Sequence, residues 1–306
     1  LTWTGMIVFG RRAWLAHGEA FTVVFSTFAR FAPVAFRTSG LGGGVTCPHG
    51  VEAVEGVSVG CAACFEAAQP ADRAVALRLP GAGLLVRRPV SVSMIAMVLT
   101  LLATVTYDGY FATPAWTGIY EFLMQLGQRS PWWQAPWMTS ALQFYVVATP
   151  VFLLFPLMFA AGFVICCRLT ALLGGGVTTG RVAGYFVLTL LPIAIAYHVA
   201  HYHVYLLLTG QYIIPAASDP FGFGWNLFGT ASYQPDIGLI DAKFAWTTSV
   251  IAIVTGHLIA VYLAHRMALQ LFSERRRMLA SQLPMLSLMV GYTMLSLWII
   301  AQPTVR

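Results

Sequence analysis

Three histidines set in apolar runs could share an ion. His198 and His201 stand three apart in the stretch YHVAHYHVY, a spacing that puts both on one face of a helix. His203, in the same stretch, points roughly the other way. His257 lies in the next apolar run, with His265 eight residues later. At 1.5 Å per residue, His198 is about 15 Å from the end of its run and His257 about 18 Å from the start of its own. The two runs are consecutive and antiparallel, so His198, His201 and His257 are expected at one depth. Converging imidazoles suit zinc, copper or iron, and haem ligation by His198 or His201 with His257 is the alternative. Each histidine merely hydrogen-bonding across helices is the plainer reading.

Two carboxylates could complete such a centre. Asp108 ends the first full apolar run, where it would be a ligand or would orient a ligating histidine. Asp219, in the loop GQYIIPAASDPFGFGWNLFGT, is a candidate general base if that loop folds back over the histidines as a lid. Its glycines and prolines permit a non-helical course, which a membrane tolerates only where protein buries it or a cavity lies beside it.

A separate cluster, Cys47, His49, Cys61 and Cys64, reads C-x-H…C-x-x-C within a glycine-rich stretch. Three thiolates and one imidazole suit tetrahedral structural zinc, although the C-x-H spacing is short for a zinc finger. Free thiols, or a redox pair at Cys61 and Cys64, are the alternatives. Cys166 and Cys167 read as packing residues.

The elements that must position these groups are membrane helices. Hydrophobic residues make up 58% of the chain and charged residues 9%, against roughly 25% charged in soluble domains. So few charges cannot cover a water-facing surface, and most of the exterior must face lipid. The net charge of +6 forms no basic stripe interleaved with aromatics, which excludes a nucleic-acid surface. Five runs reach the roughly 20 apolar residues that a spanning helix needs: Val90–Tyr107, Ala141–Cys167, Val182–Leu208, Ala245–Leu263 and Leu283–Ala301. The expected fold is an all-α polytopic helix bundle.

Arginine asymmetry orients the bundle. Arg11, Arg12, Arg30, Arg37, Arg73, Arg78, Arg87, Arg88, Arg168, Arg181, Arg266, Arg275, Arg276 and Arg277 fall on the side that precedes the first full span. Only Arg129, Lys243 and Arg306 fall on the other, fourteen against three. The arginine-rich near side is therefore expected to be cytoplasmic, and disulfides are uncommon there. Residues 1–38 read as a partial span, LTWTGMIVFG, followed by an amphipathic in-plane helix over Glu19–Ala32. The opening suggests a spanning helix whose beginning lies upstream. Residues 39–88 form the near-side Cys/His loop and residues 89–306 the bundle, with two long far-side loops. The first of these carries Trp116, Trp132, Trp133 and Trp137, a composition suited to the headgroup belt.

The segments WLAHGEAFTVVFSTFARFAP, TYDGYFATPAW, YHVAHYHVYLLLTGQYIIP, SDPFGFGWNLFGT, GHLIAVYLAHRMAL and QLPMLSLMV are spread along nearly the whole chain. In them the chain resembles the fenitrothion hydrolase-like family of bacterial polytopic membrane proteins; the Cys-bearing stretch 40–87 is a local elaboration. The resemblance implies hydrolysis of organophosphorus esters in a bacterial inner (plasma) membrane. It also implies a second membrane subunit supplying further N-terminal helices. With the histidines, it leads to a metal-dependent membrane hydrolase: His198, His201 and His257 hold zinc or copper, Asp108 ligates or orients, and the metal lowers the pKa of bound water towards roughly 7. A metal, ion or small-molecule transporter subunit is the second expectation. A haem-carrying or accessory subunit of an electron-transfer complex is the third.

Overall fold

Burying apolar side chains in lipid while satisfying every backbone group favours helices, and the chain obeys. A computed structural model describes residues 1–38, 58–59, 65, 68–86 and 88–302. Five helical spans in it are long and apolar enough to cross a membrane: Val92–Phe111, Ser140–Gly174, Thr179–Ser218, Ala242–Leu271 and Arg275–Ala301. The protein is an all-α, multi-pass membrane protein. Each expected span is present, and the second to fifth extend several residues beyond their apolar runs. The third is the one the protein encloses, with 83% of its apolar window buried against 11% for Ser140–Gly174.

The chain forms two compact units. The first comprises 1–99, 160–192 and 259–288. It opens with α1 (Thr2–Phe9) and α2 (Arg11–His17), separated by Gly10 at φ 80°. The amphipathic helix is α3, Ala20–Ala29. Glu19 caps it, its carboxylate accepting from the Thr22 amide at 2.5 Å and the Phe21 amide at 3.3 Å, and from the Thr22 hydroxyl. Those bonds to Thr22 hold the Glu19 carboxyl below its ordinary range. Phe21 and Phe25 remain exposed, as an in-plane helix requires.

A small antiparallel sheet follows that the expected near-side loop did not include. In it β1 (Val34–Thr38) lies between β2 (Ser58–Val59) and β3 (Arg73–Leu77), with Thr38 opposite both Ser58 and Arg73. The Arg78 guanidinium ties this sheet to α3 by donating to the Ala29, Arg30 and Ala32 carbonyls. Cys47, His49, Cys61 and Cys64 lie outside the described residues. Cys167 is fully buried, and Cys166 partly so.

The second unit comprises 100–159, 193–258 and 289–306. It includes the C-terminal part of α4 (Val92–Phe111) and α5 (Pro114–Gln128), a helix in what the sequence suggested was a long loop. Thr113 caps α5 and Pro114 starts it. Trp116 and Trp133 are 5% and 4% exposed, packed with Val147 and Ala148 of α6 (Ser140–Gly174). They belong to a core, not to the headgroup belt; Trp132 and Trp137 stay exposed and keep that reading.

The third span is built in pieces. It begins with α7 (Thr179–Phe186), tightens to a 3-10 turn at Val187–Leu190, and continues as α8 (Leu191–Thr209). Pro192 has no N–H to return to Leu188, which accounts for the local change of winding. A short α9 (Ile213–Ser218) closes it. The last two spans are α10 (Ala242–Leu271) and α11 (Arg275–Ala301).

Candidate functional site

The second unit gathers its polar groups where α4, α8 and α11 approach closely. Gly109 on α4 makes this approach feasible. A Cβ there would stand 2.8 Å from Ile299 Cγ2, 3.0 Å from the Tyr197 hydroxyl and 3.8 Å from His201 Nδ1. With no side chain at 109, the neighbouring Asp108 comes up against α8. The Tyr202 hydroxyl donates to Asp108 Oδ2, and His201 Nε2 lies 3.7 Å from the same oxygen. The latter is charge-pair reach, not a hydrogen bond. Asp108, His201 and Tyr202 thus form one acid–base group, with His201 26% and Asp108 52% exposed in their side chains.

Asp108 also lines a shallow, open-sided depression of about 320 Å³. Its walls are Tyr107 and Phe111 of α4 and Phe144, Tyr145, Ala148, Thr149 and Phe152 of α6. Helical spacing produces this wall: 107 and 111 are one turn apart, as are 144, 148 and 152. Edge-on ring contacts fix it, Tyr107 against Phe152 at 5.2 Å and Phe111 against Phe144 at 6.2 Å. Asp108 is the one ionisable carboxylate among the lining residues.

Deeper in the unit lies a second polar neighbourhood around Tyr292. The Thr106 hydroxyl donates to the Leu102 carbonyl at 2.7 Å and so accepts from the Tyr292 hydroxyl, also at 2.7 Å. The Tyr292 ring stands 5.9 Å from His257 and 6.2 Å from Tyr197, centroid to centroid. His257 donates its Nδ1–H to the Ile253 carbonyl at 2.8 Å. Its lone pair is therefore on Nε2, which is buried and has no hydrogen-bond partner among the described residues; nor has the Tyr197 hydroxyl.

The expected three-histidine centre is not assembled. Among the described residues no three or more His, Cys, Asp or Glu side chains come together to hold a metal ion. His201 and Asp108 do meet, as expected. His198 lies on the same stretch of α8, its Nδ1–H donated to the Ala194 carbonyl at 2.7 Å. His257 faces Tyr292 instead: the Ser249 hydroxyl donates to the Ala200 carbonyl, which puts His257, eight residues further along α10, about 12 Å from that level. His265 bonds Gln282 Oε1 at 2.8 Å, a structural contact in the other unit.

Asp219 has a different part from the one its sequence suggested. Its two oxygens accept from the Phe223 and Gly224 amides at 2.9 and 2.8 Å, so it shapes its own loop. Neighbouring Ser218 accepts from the Phe228 and Thr230 amides. The loop's Phe221 and Phe223 stack, Trp225 meets both edge-on, and all three stay exposed, which suits headgroup anchors better than a lid. Two participants went unnoticed in the sequence. Tyr202 adjoins His201 in the quoted run, and the aromatic wall repeats every fourth residue. Comparison with family models, curated proteins and solved structures finds no match.

Proposed function

We propose that the chain is a membrane-embedded hydrolase of apolar aryl esters, the organophosphorus class, with Asp108, His201 and Tyr202 as its acid–base centre. One observation carries this reading. The carboxylate that meets His201 and Tyr202 also lines an open-sided aromatic depression, whose apolar walls and few convergent polar groups suit a small molecule. An aryl group stacks in the depression and brings its ester phosphorus to Asp108. His201 takes a proton from a water molecule as the water oxygen bonds to phosphorus. The P–O bond to the aryl group breaks, and the aryloxide leaves with the electron pair. Asp108 keeps His201 oriented and stabilises its protonated form, as Tyr202 fixes the carboxylate. The donor set found here does not support a three-histidine metal centre, and no step passes through one.

The resemblance in sequence supports the substrate class, the plasma membrane of a bacterium as the location, and a second membrane subunit as partner. The test is release of nitrophenol from a nitrophenyl phosphotriester by the protein in lipid nanodiscs. Turnover by the wild type, lost in Asp108→Asn, is the expected result. An inert wild type, with its partner subunit present, would sink the proposal.

A proton- or ion-handling role is the second reading. The buried Nε2 of His257 and hydroxyl of Tyr197 favour it, because ionisable groups inside spans often belong to relays. Proton flux into liposomes that stops in His257→Leu would select it over hydrolysis.

A further inference from the structure

The first unit has a cavity of its own, which the hydrolase reading leaves unused. It measures about 560 Å³ and is bounded by Gly176, Val177, Arg181, Tyr185, Met267 and Gln270. That volume lies within the usual range for small-molecule sites, about 300–1,000 Å³. Arg181 is the charged side chain on its wall, and its guanidinium lies 5.9 Å over the Tyr185 ring. Stacking on an aromatic face preorganises the planar fork that binds phosphate in two-point fashion.

The surroundings carry the same sign. Gly175 and Gly176 turn the chain at φ 68° and 73°. A Cβ on Gly175 would stand 3.1 Å from Arg277 Nη1, so a second guanidinium lies at this rim, paired at 2.9 Å with Glu274. No atom lies within 4 Å of where a Cβ on Gly176 would be; there the cavity meets bare backbone. Residues 160–192 and 259–288 of this unit contain six arginines and a single acidic residue, Glu274. Topology alone accounts for arginines at helix ends. It does not account for one stacked on a tyrosine in the wall of a cavity. The last turn of α10 contributes a negative helix end and the start of α7 a positive one, each about half a charge. These offset, and the full charge of Arg181 decides the sign.

We propose that this cavity binds a phosphate-bearing anion, supplied by the headgroup of an acidic phospholipid in the arginine-side leaflet. Basic pockets between spans at this level are suited to such headgroups. The proposal is independent of the hydrolase reading.

The thermal midpoint of the purified chain in detergent tests it, titrated with phosphatidylglycerol, with phosphatidylcholine, or with inorganic phosphate. Phosphatidylglycerol should raise the midpoint saturably and phosphatidylcholine should not. Arg181→Gln should weaken the apparent affinity for phosphatidylglycerol by about tenfold, Arg181→Lys by less, and Arg168→Gln should leave it unchanged. Inorganic phosphate reproducing the shift, with the same loss in Arg181→Gln, keeps the site and assigns it to a free anion. Equal shifts by the two lipids would overturn the proposal, whether or not Arg181→Gln folds. So would an Arg181→Gln protein that responds to phosphatidylglycerol as the wild type does.

Discussion

His201 and His257 are both imidazoles in spanning helices of one unit, and their surroundings are opposite. His201 meets a carboxylate and a phenol beside an open-sided cavity. His257 is 6% exposed, bonds its own helix through Nδ1, and faces a tyrosine ring. The first has the neighbours that the proposed proton transfer needs. The second is a buried polar group whose lone pair costs stability unless something meets it. Depth within a membrane makes a histidine a candidate; its neighbours decide what it can do.

The largest effect should come from splitting the two histidines by substitution. Asp108→Asn and His201→Gln should each lower turnover of a nitrophenyl phosphotriester by about 10²–10⁴-fold, with helicity by circular dichroism unchanged. His257→Leu should keep turnover within a few-fold and leave thermal stability equal or raised by about 1 kcal/mol. Turnover lost equally in His201→Gln and His257→Leu would erase the contrast and place both in one centre.

Tyr202→Phe comes next. It removes the hydroxyl that donates to Asp108 and should reduce turnover by about tenfold, the scale of a hydrogen bond to a charged group. On the other side of the contrast, Tyr292→Phe should cost about 1 kcal/mol of stability by removing the bond to Thr106, read as a lower thermal midpoint, with turnover intact. The smallest effect lies outside the spans. The Glu19 carboxyl is depressed in the folded chain, so its capping contribution is present above the ordinary carboxylate range and is lost as pH falls through its lower folded value. Helicity of the N-terminal segment should fall with acidification in the wild type and show no such step in Glu19→Gln.

The spans were readable because length and apolarity are properties of contiguous residues. So was the meeting of Asp108 with His201, since both sit near the C-terminal ends of the first and third spans, which run in the same direction. The register of one span against the next was not readable. Apolar run ends place a residue only to within several positions, and the bond from Ser249 to the Ala200 carbonyl sets His257 eight residues beyond the level of Ala200. The sheet escaped for another reason. VAFRT at 34–38 pairs with RAVAL at 73–77, and no local pattern specifies a partner so far along the chain. Helix α5 was hidden by the aromatics of its segment, which suit an interface as well as a core. Asp219 suggested chemistry because acid in a glycine-rich loop can be a base; the same residue type is also what turns such a loop.

Gly109 makes the acid–base centre a matter of clearance. Three helices rest on a strip of uncovered backbone, and the gap leaves no room for another carbon atom. A single methyl at that position would act as a wedge, prising α4 from α8 and α11 and withdrawing Asp108 from both its partners at once. The reactive geometry is set by how near the helices can come, one residue away from the group that would react.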